Sequence, residues 1–420
     1  MDFVLENALV FIGSKLIPKS VLVKEGKIAA LEQSVHAAKR IDCKGNILLP
    51  GLIDAHVHFR IPGGAQKEDW STGSAAALAG GVTTVIDMPN NNPSCTTRKA
   101  LADKEKVAKA DSKCNFAFHF GASNDNMREL EQVDGIASFK VFLGASTGNL
   151  LITDPAILRK VFSIAKERNI AVVVHAEDED IIKENTAMAK EKGWNHAKYH
   201  SKIRTCEAET KSIEKALALQ DEIGNKLHIL HISSAQGLEL VKEAKQNREG
   251  ITCEATPHHL FLTEESTENL GNFAKMNPSL KSREDVNALW KGLRQGAIDL
   301  IATDHAPHTI QEKEKPYWEA PSGVPGIETM LPLLLDAVNK EKIELKTIVE
   351  KCCIAPARVY GFESRGEIKV GKDADLTLID LQKKKTIKNG QLQTKCNWSP
   401  FATWELQGSV ERVFVRGRLD

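Results

Sequence analysis

Residues Leu48–Gly64 read LLPGLIDAHVHFRIPGG: an apolar run that closes on two histidines one residue apart, with an arginine two positions further on. In a strand, residues two apart point to the same side, so His56 and His58 face one point together. Later in the chain the same design recurs. The runs VTTVIDMPN, NFAFHFGAS, FKVFLGAS, IAVVVHAED, LHILHISS, ITCEATPHHL and DLIATDHAPH each begin apolar and end polar. Stretches with helical spacing and acids near their starts separate them, such as ITDPAILRKVFSIAKERN and AETKSIEKALALQDEI. With GLIDAHVHF in front, this predicts eight strands, seven helix-containing crossovers and a further helical segment. Repeated strand–helix units predict a parallel sheet, and eight of them favour a closed (β/α)8 TIM-type barrel over a doubly wound open sheet.

In a parallel barrel all strand ends open onto one rim, where barrel enzymes place their chemistry. The ends here are His56/His58, Asp87/Asn90, His119, His175, His231, His258/His259 and Asp304 with His308. Four of these histidines (His56, His58, His175 and His231) and Asp304 make a donor set suited to zinc or a similar divalent ion. Lys140 is the odd member. It lies between Phe139 and Val141 in a strand, where a charged head is costly to bury. One reading is a snorkelling lysine with its head in water. The other is reaction with carbon dioxide to a carbamate whose oxygens bridge two metals, and the neighbouring histidines favour it.

The chain has 420 residues, 42% hydrophobic and 27% charged, with 56 basic and 56 acidic side chains. A balanced charge gives no global field toward nucleic acid or an anionic membrane, so an anionic ligand needs a local cation. No apolar run has the length of a membrane span, and the N-terminus lacks a basic leader. Eight scattered cysteines without a CxxC pair suit a reducing, cytoplasmic setting. Residues 1–50 and 365–420 are strand-rich with Gly-centred turns. Because isolated strands cannot bury a face, they are expected to form one small β-sandwich domain from both termini, flanking a barrel over 51–364.

Together, DAHVHFRIPG, VIDMPNNNP, FKVFL, VVVHAED, HILHISS, CEATPHHL, MNPSLKS and ATDHAPH resemble the dihydroorotases of the amidohydrolase superfamily, and the likeness runs through GEIKVGKDADLTLID near the C-terminus. The resemblance implies metal-dependent interconversion of dihydroorotate and N-carbamoyl-L-aspartate in pyrimidine synthesis. It implies that His56, His58 and Asp304 hold one Zn2+, that His175 and His231 hold a second, and that carboxylated Lys140 bridges them. Asp304 is then also the catalytic acid–base group. Arg60 and Asn90 are implied to bind the substrate carboxylate, with Asn277 and His308 at the ring or its carboxylate side. As partners it implies a small-molecule substrate, and it leaves room for a homodimer or association with other pyrimidine-pathway enzymes.

The sequence departs from the family in having Ile61 where REPG is common, and Ser322 where many relatives carry an aromatic residue. The rivals are a hydantoinase, dihydropyrimidinase or allantoinase, and a non-catalytic scaffold that would have lost ligands. Other histidines keep plainer expectations: His119 as a core or supporting residue, His258 and His259 as orienting groups on the rim, His196 and His200 at the surface. The run QEKEKPYWEA is expected to be a solvated loop that could also cover substrate.

Overall fold

The computed structural model describes residues 2–33, 37, 39–144 and 150–419. Five strands open the chain: β1 Phe3–Ile12, β2 Lys15–Lys24, β3 Lys27–Glu32, β4 Arg40–Asp42 and β5 Ile47–Pro50. Eight more follow: β6 Leu52–Val57, β7 Val82–Asp87, β8 Asn115–Gly121, β9 Ser138–Phe142, β10 Ala171–His175, β11 Leu227–Ile229, β12 Ile251–Ala255 and β13 Leu300–Ile301. The end of the chain adds β14 Leu376–Thr386, β15 Glu405–Val415 and β16 Arg418–Leu419.

Strands β6 to β13 lie side by side in chain order, all parallel. The circle closes where Val57 bridges His305, with His58 N donating to His305 O (2.9 Å) and His305 N to His56 O (3.3 Å). The predicted barrel is therefore the observed one, and every predicted strand is present. Residues 145 and 146, at the end of the FKVFLGAS run, lie outside the described residues. Strands β6, β7, β9 and β10 are buried at every position, as parallel strands covered by helices must be.

Local chemistry sets the intervening helices. Asp69 starts Trp70–Ala79 with a capping box, and Asp154 caps Pro155–Glu167 by accepting from Ala156 N at 2.8 Å. Thr205 and Ser234 cap Cys206–Ile223 and Ala235–Asn247 in the same way.

The terminal strands make a second sheet in the order β16-β15-β14-β5-β1-β2-β3, with β4 beside β1. Residues from both termini, among them Phe3, Val10, Val23, Leu376 and Phe414, share one apolar cluster. Between β14 and β15 the chain leaves that sheet, and Ile387, Trp398 and Phe401 pack with Leu262, Met276 and Leu333 of the barrel segment. Gly51 alone separates β5 from β6. A Cβ at Gly51 would meet the Thr83 side chain, fully buried on the neighbouring strand β7. Gly51→Ala is therefore expected to destabilise the protein by about 1–3 kcal/mol through overpacking. Chemical denaturation of the variant against the parent checks this, with an unchanged midpoint as the contrary result.

Candidate active site

The strand ends converge on a cleft lined by His56, His58, Arg60, Lys140, His175, His231, Asn277 and Asp304, with Phe142, Ala306, Ser322 and Gly323. Asn90 and His308 stand just behind that lining, each bonded to a residue within it. Three of these positions take left-handed backbone without being glycine: Arg60 (φ 64°), His231 (φ 36°) and Asp304 (φ 46°). Such conformations persist only where the surrounding structure imposes them, and they gather at functional sites.

Three of the four imidazoles, His56, His58 and His175, have a neighbour at the far nitrogen. His56 Nδ1 lies 2.6 Å from Glu254 Oε1, and Glu254 also reaches His228 Nε2 at 3.1 Å. His58 Nδ1 donates to Asn90 Oδ1 at 2.7 Å. The Nε2 atoms of His56 and His58 then stand 3.3 and 3.0 Å from Asp304 Oδ1. On the opposite wall His175 Nδ1 approaches His231 Nε2 to 2.9 Å, while His175 Nε2 lies 3.0 Å from Glu177 Oε2. Glu177 is gripped by Arg204 Nε, 3.0 Å from both carboxylate oxygens.

Burial lowers the pKa of His58 to about 4, against the opposing pull of Asp304, and it pushes His231 well down with help from His175. Both are neutral imidazoles with lone pairs to offer. Burial alone would raise the Asp304 carboxyl, but the facing imidazoles of His56, His58 and His231 hold it well below the ordinary carboxylate value. For Glu254, burial is likewise overcome by His56 and His228, leaving its pKa at about 2. Lys140 is 1% exposed, and burial brings its amine down to about 7 although Asp304 and Glu254 oppose the shift.

These residues fit a metal. His56, His231 and Asp304 each present a ligand atom within 4.8 Å of the others. The buried His231 Nδ1 has no hydrogen-bond partner, and two neutral imidazole nitrogens face each other at 2.9 Å. A neutral nitrogen and carboxylate oxygen set of this kind suits a divalent ion.

Arg60 lines the same cleft. Its Nε donates to Pro307 O at 3.1 Å and its Nη2 lies 3.2 Å from His308 Nε2, and among the described residues its guanidinium makes no ion pair with a carboxylate. His308 is kept neutral by burial and by Arg60, which lower its pKa to about 3. Its Nδ1 accepts from Lys67 Nζ (3.1 Å), which leaves Nε2–H to donate to Ser322 O (3.0 Å).

Some expectations need correction or addition. His200 is not at the surface. It is 5% exposed, with Nδ1 against Tyr317 Oη (2.8 Å) and Nε2 against Asn277 Oδ1 (3.0 Å), while His196 is exposed as expected. The QEKEKPYWEA run is only partly solvated, since Lys313, Tyr317 and Ala320 are buried. His119 is a supporting core residue, bonded to Ser138 Oγ and Ala55 O. Glu254, Glu177, Glu68 and Lys104 were not singled out from the sequence. Glu68 reaches His305 and the Thr394–Lys395 segment. Lys104 pairs with Asp87 at 2.6 Å and donates to Met88 O and Asn91 Oδ1, while Asp87 accepts from Phe59 N. The signal for Glu254 was available, because a carboxylate inside an apolar strand needs a partner just as Lys140 does.

This arrangement of a barrel rim, clustered imidazoles and a strand-end aspartate sits in a chain whose residues 47–419 match the amidohydrolase family, and the chain belongs to that family. Its relatives include the dihydroorotase of Halobacterium salinarum, 42% identical over 355 residues, which is 84% of this chain and 82% of that protein. The dihydroorotase of Methanosarcina mazei is 36% identical over 413 residues, 95% of this chain and 90% of its own length. Among solved structures, the L-hydantoinase (dihydropyrimidinase) of Arthrobacter aurescens matches with a TM-score of 0.95 and 31% identity, over 100% of this chain and 95% of that one. The likeness read from the motifs is borne out. Among the described residues no helix is long and apolar enough to cross a membrane.

The buried Lys104–Asp87 pair ties the second strand end to the first, and breaking such a pair from one side is strongly destabilising. Lys104→Met is expected to cost about 3–5 kcal/mol. Equilibrium unfolding measures it, and a loss no larger than that of a surface substitution would show that the pair is dispensable.

Proposed function

We propose that this chain is a metal-dependent cyclic-amide hydrolase that interconverts dihydroorotate and N-carbamoyl-L-aspartate. The observation that carries the reading is Arg60: a guanidinium on the wall of the same cleft as the imidazole–aspartate cluster that, among the described residues, pairs with no carboxylate. A planar fork of this kind matches a carboxylate bidentately, and the dihydroorotate ring carries one. The curated relatives' names agree with it.

His56, His58 and Asp304 are assigned to one Zn2+, His175 and His231 to a second, and Lys140 to the bridge. Two such cations, when bound, polarise the amide carbonyl and make water acidic enough to attack near neutral pH. The remaining chemistry belongs to the chain. Lys140, with its amine drawn down to about 7, is available as a free base that can add to carbon dioxide. Its nitrogen lone pair forms the new N–C bond as one C=O π pair moves onto oxygen and one N–H proton is released to solvent, so the neutral amine becomes an anionic carbamate. Asp304 is ionised, so it can take the proton of the attacking water and pass it to the departing ring nitrogen. Glu254 and Asn90 keep the His56 and His58 rings turned toward the cleft. Arg60, with neutral His308 beside it and Asn277 across the cleft, orients the ring by its carboxylate.

A second reading, a hydantoinase or dihydropyrimidinase, has in its favour the solved structures with those names that this fold matches. Those rings lack the carboxylate, so Arg60 discriminates. Arg60→Met is expected to raise KM for dihydroorotate by about 10–100-fold, the worth of one or two charge-assisted hydrogen bonds, with a smaller fall in kcat. Turnover of hydantoin or dihydrouracil by the parent protein in preference to dihydroorotate would overturn the assignment. For the bridge, Lys140→Ala is expected to lose most bound metal by elemental analysis and to regain part of it with a small carboxylic acid such as propionate. Full metal content in that variant would place the bridge elsewhere.

A further inference from the structure

The cleft wall formed by Ser322 and Gly323 belongs to a segment, residues 314–323, that follows the eighth strand and has no regular structure of its own beyond turns. Two buried lysines grip it from behind. Lys313, 1% exposed, donates to three main-chain oxygens: Lys275 O (3.1 Å), Pro321 O (2.9 Å) and Gly323 O (2.9 Å). Lys275, 8% exposed, donates to Tyr317 O (2.7 Å) and Ala320 O (2.6 Å), with its ammonium 4.4 Å from the Tyr317 ring centre. The Lys275 carbonyl in turn accepts from Gly323 N at 2.9 Å, so the two lysines and the wall interlock.

A buried ammonium ordinarily needs a carboxylate. Here all the side-chain hydrogen bonds of both lysines go to carbonyls, and three acceptors match the three N–H groups of Lys313. Burial pulls both amines below the ordinary lysine value, Lys275 to about 8 with Arg204 adding to the shift. Two costly cations are thus devoted to fixing four carbonyls of one short segment. The same segment also meets the substrate groups: Tyr317 Oη bonds to His200 and so reaches Asn277, and Ser322 O accepts from His308, whose ring nitrogen lies 3.2 Å from Arg60 Nη2.

We propose that Lys313 and Lys275 are positioning residues, whose hydrogen bonds to the carbonyls of residues 317–323 hold that segment as a fixed wall of the cleft and thereby set substrate affinity. The proposal rests on the reading of the cleft as a cyclic-amide site and adds a second determinant of its affinity to Arg60. Neither lysine touches the reacting atoms.

The test uses the full chain loaded with metal, as Lys313→Met and, separately, Lys275→Met. In both, amide hydrogen exchange over residues 314–323 is expected to quicken about ten-fold or more while peptides from β6, β10 and β12 exchange as before. KM for dihydroorotate is expected to rise about ten-fold with kcat within about three-fold and metal content unchanged. Should Lys313→Met fail to fold, Lys275→Met, which removes only the Tyr317 and Ala320 bonds, decides the question. Unchanged exchange in the segment overturns the proposal, and so does faster exchange with unchanged KM, which would make the lysines structural only. A parent protein inactive on dihydroorotate would remove the assigned activity instead, and the exchange measurement would still decide whether the lysines hold the wall.

Discussion

Two backbone hydrogen bonds, His58 N to His305 O and His305 N to His56 O, close the barrel between its first and last strands. Everything at the rim depends on that closure. It brings a pair of histidines from near the start of the barrel against an aspartate almost 250 positions later, so that His56 and His58 both face Asp304 Oδ1. Asp304 itself takes left-handed backbone, with φ 46°. An open sheet of the same strands would leave these groups on opposite edges, since only closure makes the first and eighth strands neighbours.

Around the cleft runs a ring of buried acids, each answered by a base. Glu254 sits between His56 and His228, Glu177 between His175 and Arg204, Asp87 beneath Lys104, and Glu68 beside His305. Beside His56 and His175, Glu254 and Glu177 do angular work: a ring nitrogen held on its outer side by a carboxylate can present only its inner side. Such groups are expensive to bury and remain only because every partner is in place. Rigidity at the rim is therefore supplied from the barrel interior, by strands whose own register is fixed.

Much of this was legible in the sequence. Strand ends that turn from valine and isoleucine to histidine and aspartate carry the barrel and its rim together, and Lys140 declared itself by being charged where its neighbours are not. The supporting residues were harder to see because their partners are remote in the chain. His200 has surface spacing relative to His196, yet its bonds go to Tyr317 and Asn277, more than seventy residues away. Lys313 lies in a run of charges that reads as solvent-facing, and what buries it is main-chain oxygen, which no pattern of side chains reveals. Glu254 could have been found by the argument applied to Lys140.

The wall at residues 317–323 is clasped through four of its peptide carbonyls and, at one end, through the Tyr317 side chain. The side chain at position 322, here a serine, can thus be exchanged without redrawing the path of the backbone. Such a division keeps the frame in place and leaves the furnishing of the cleft free to drift.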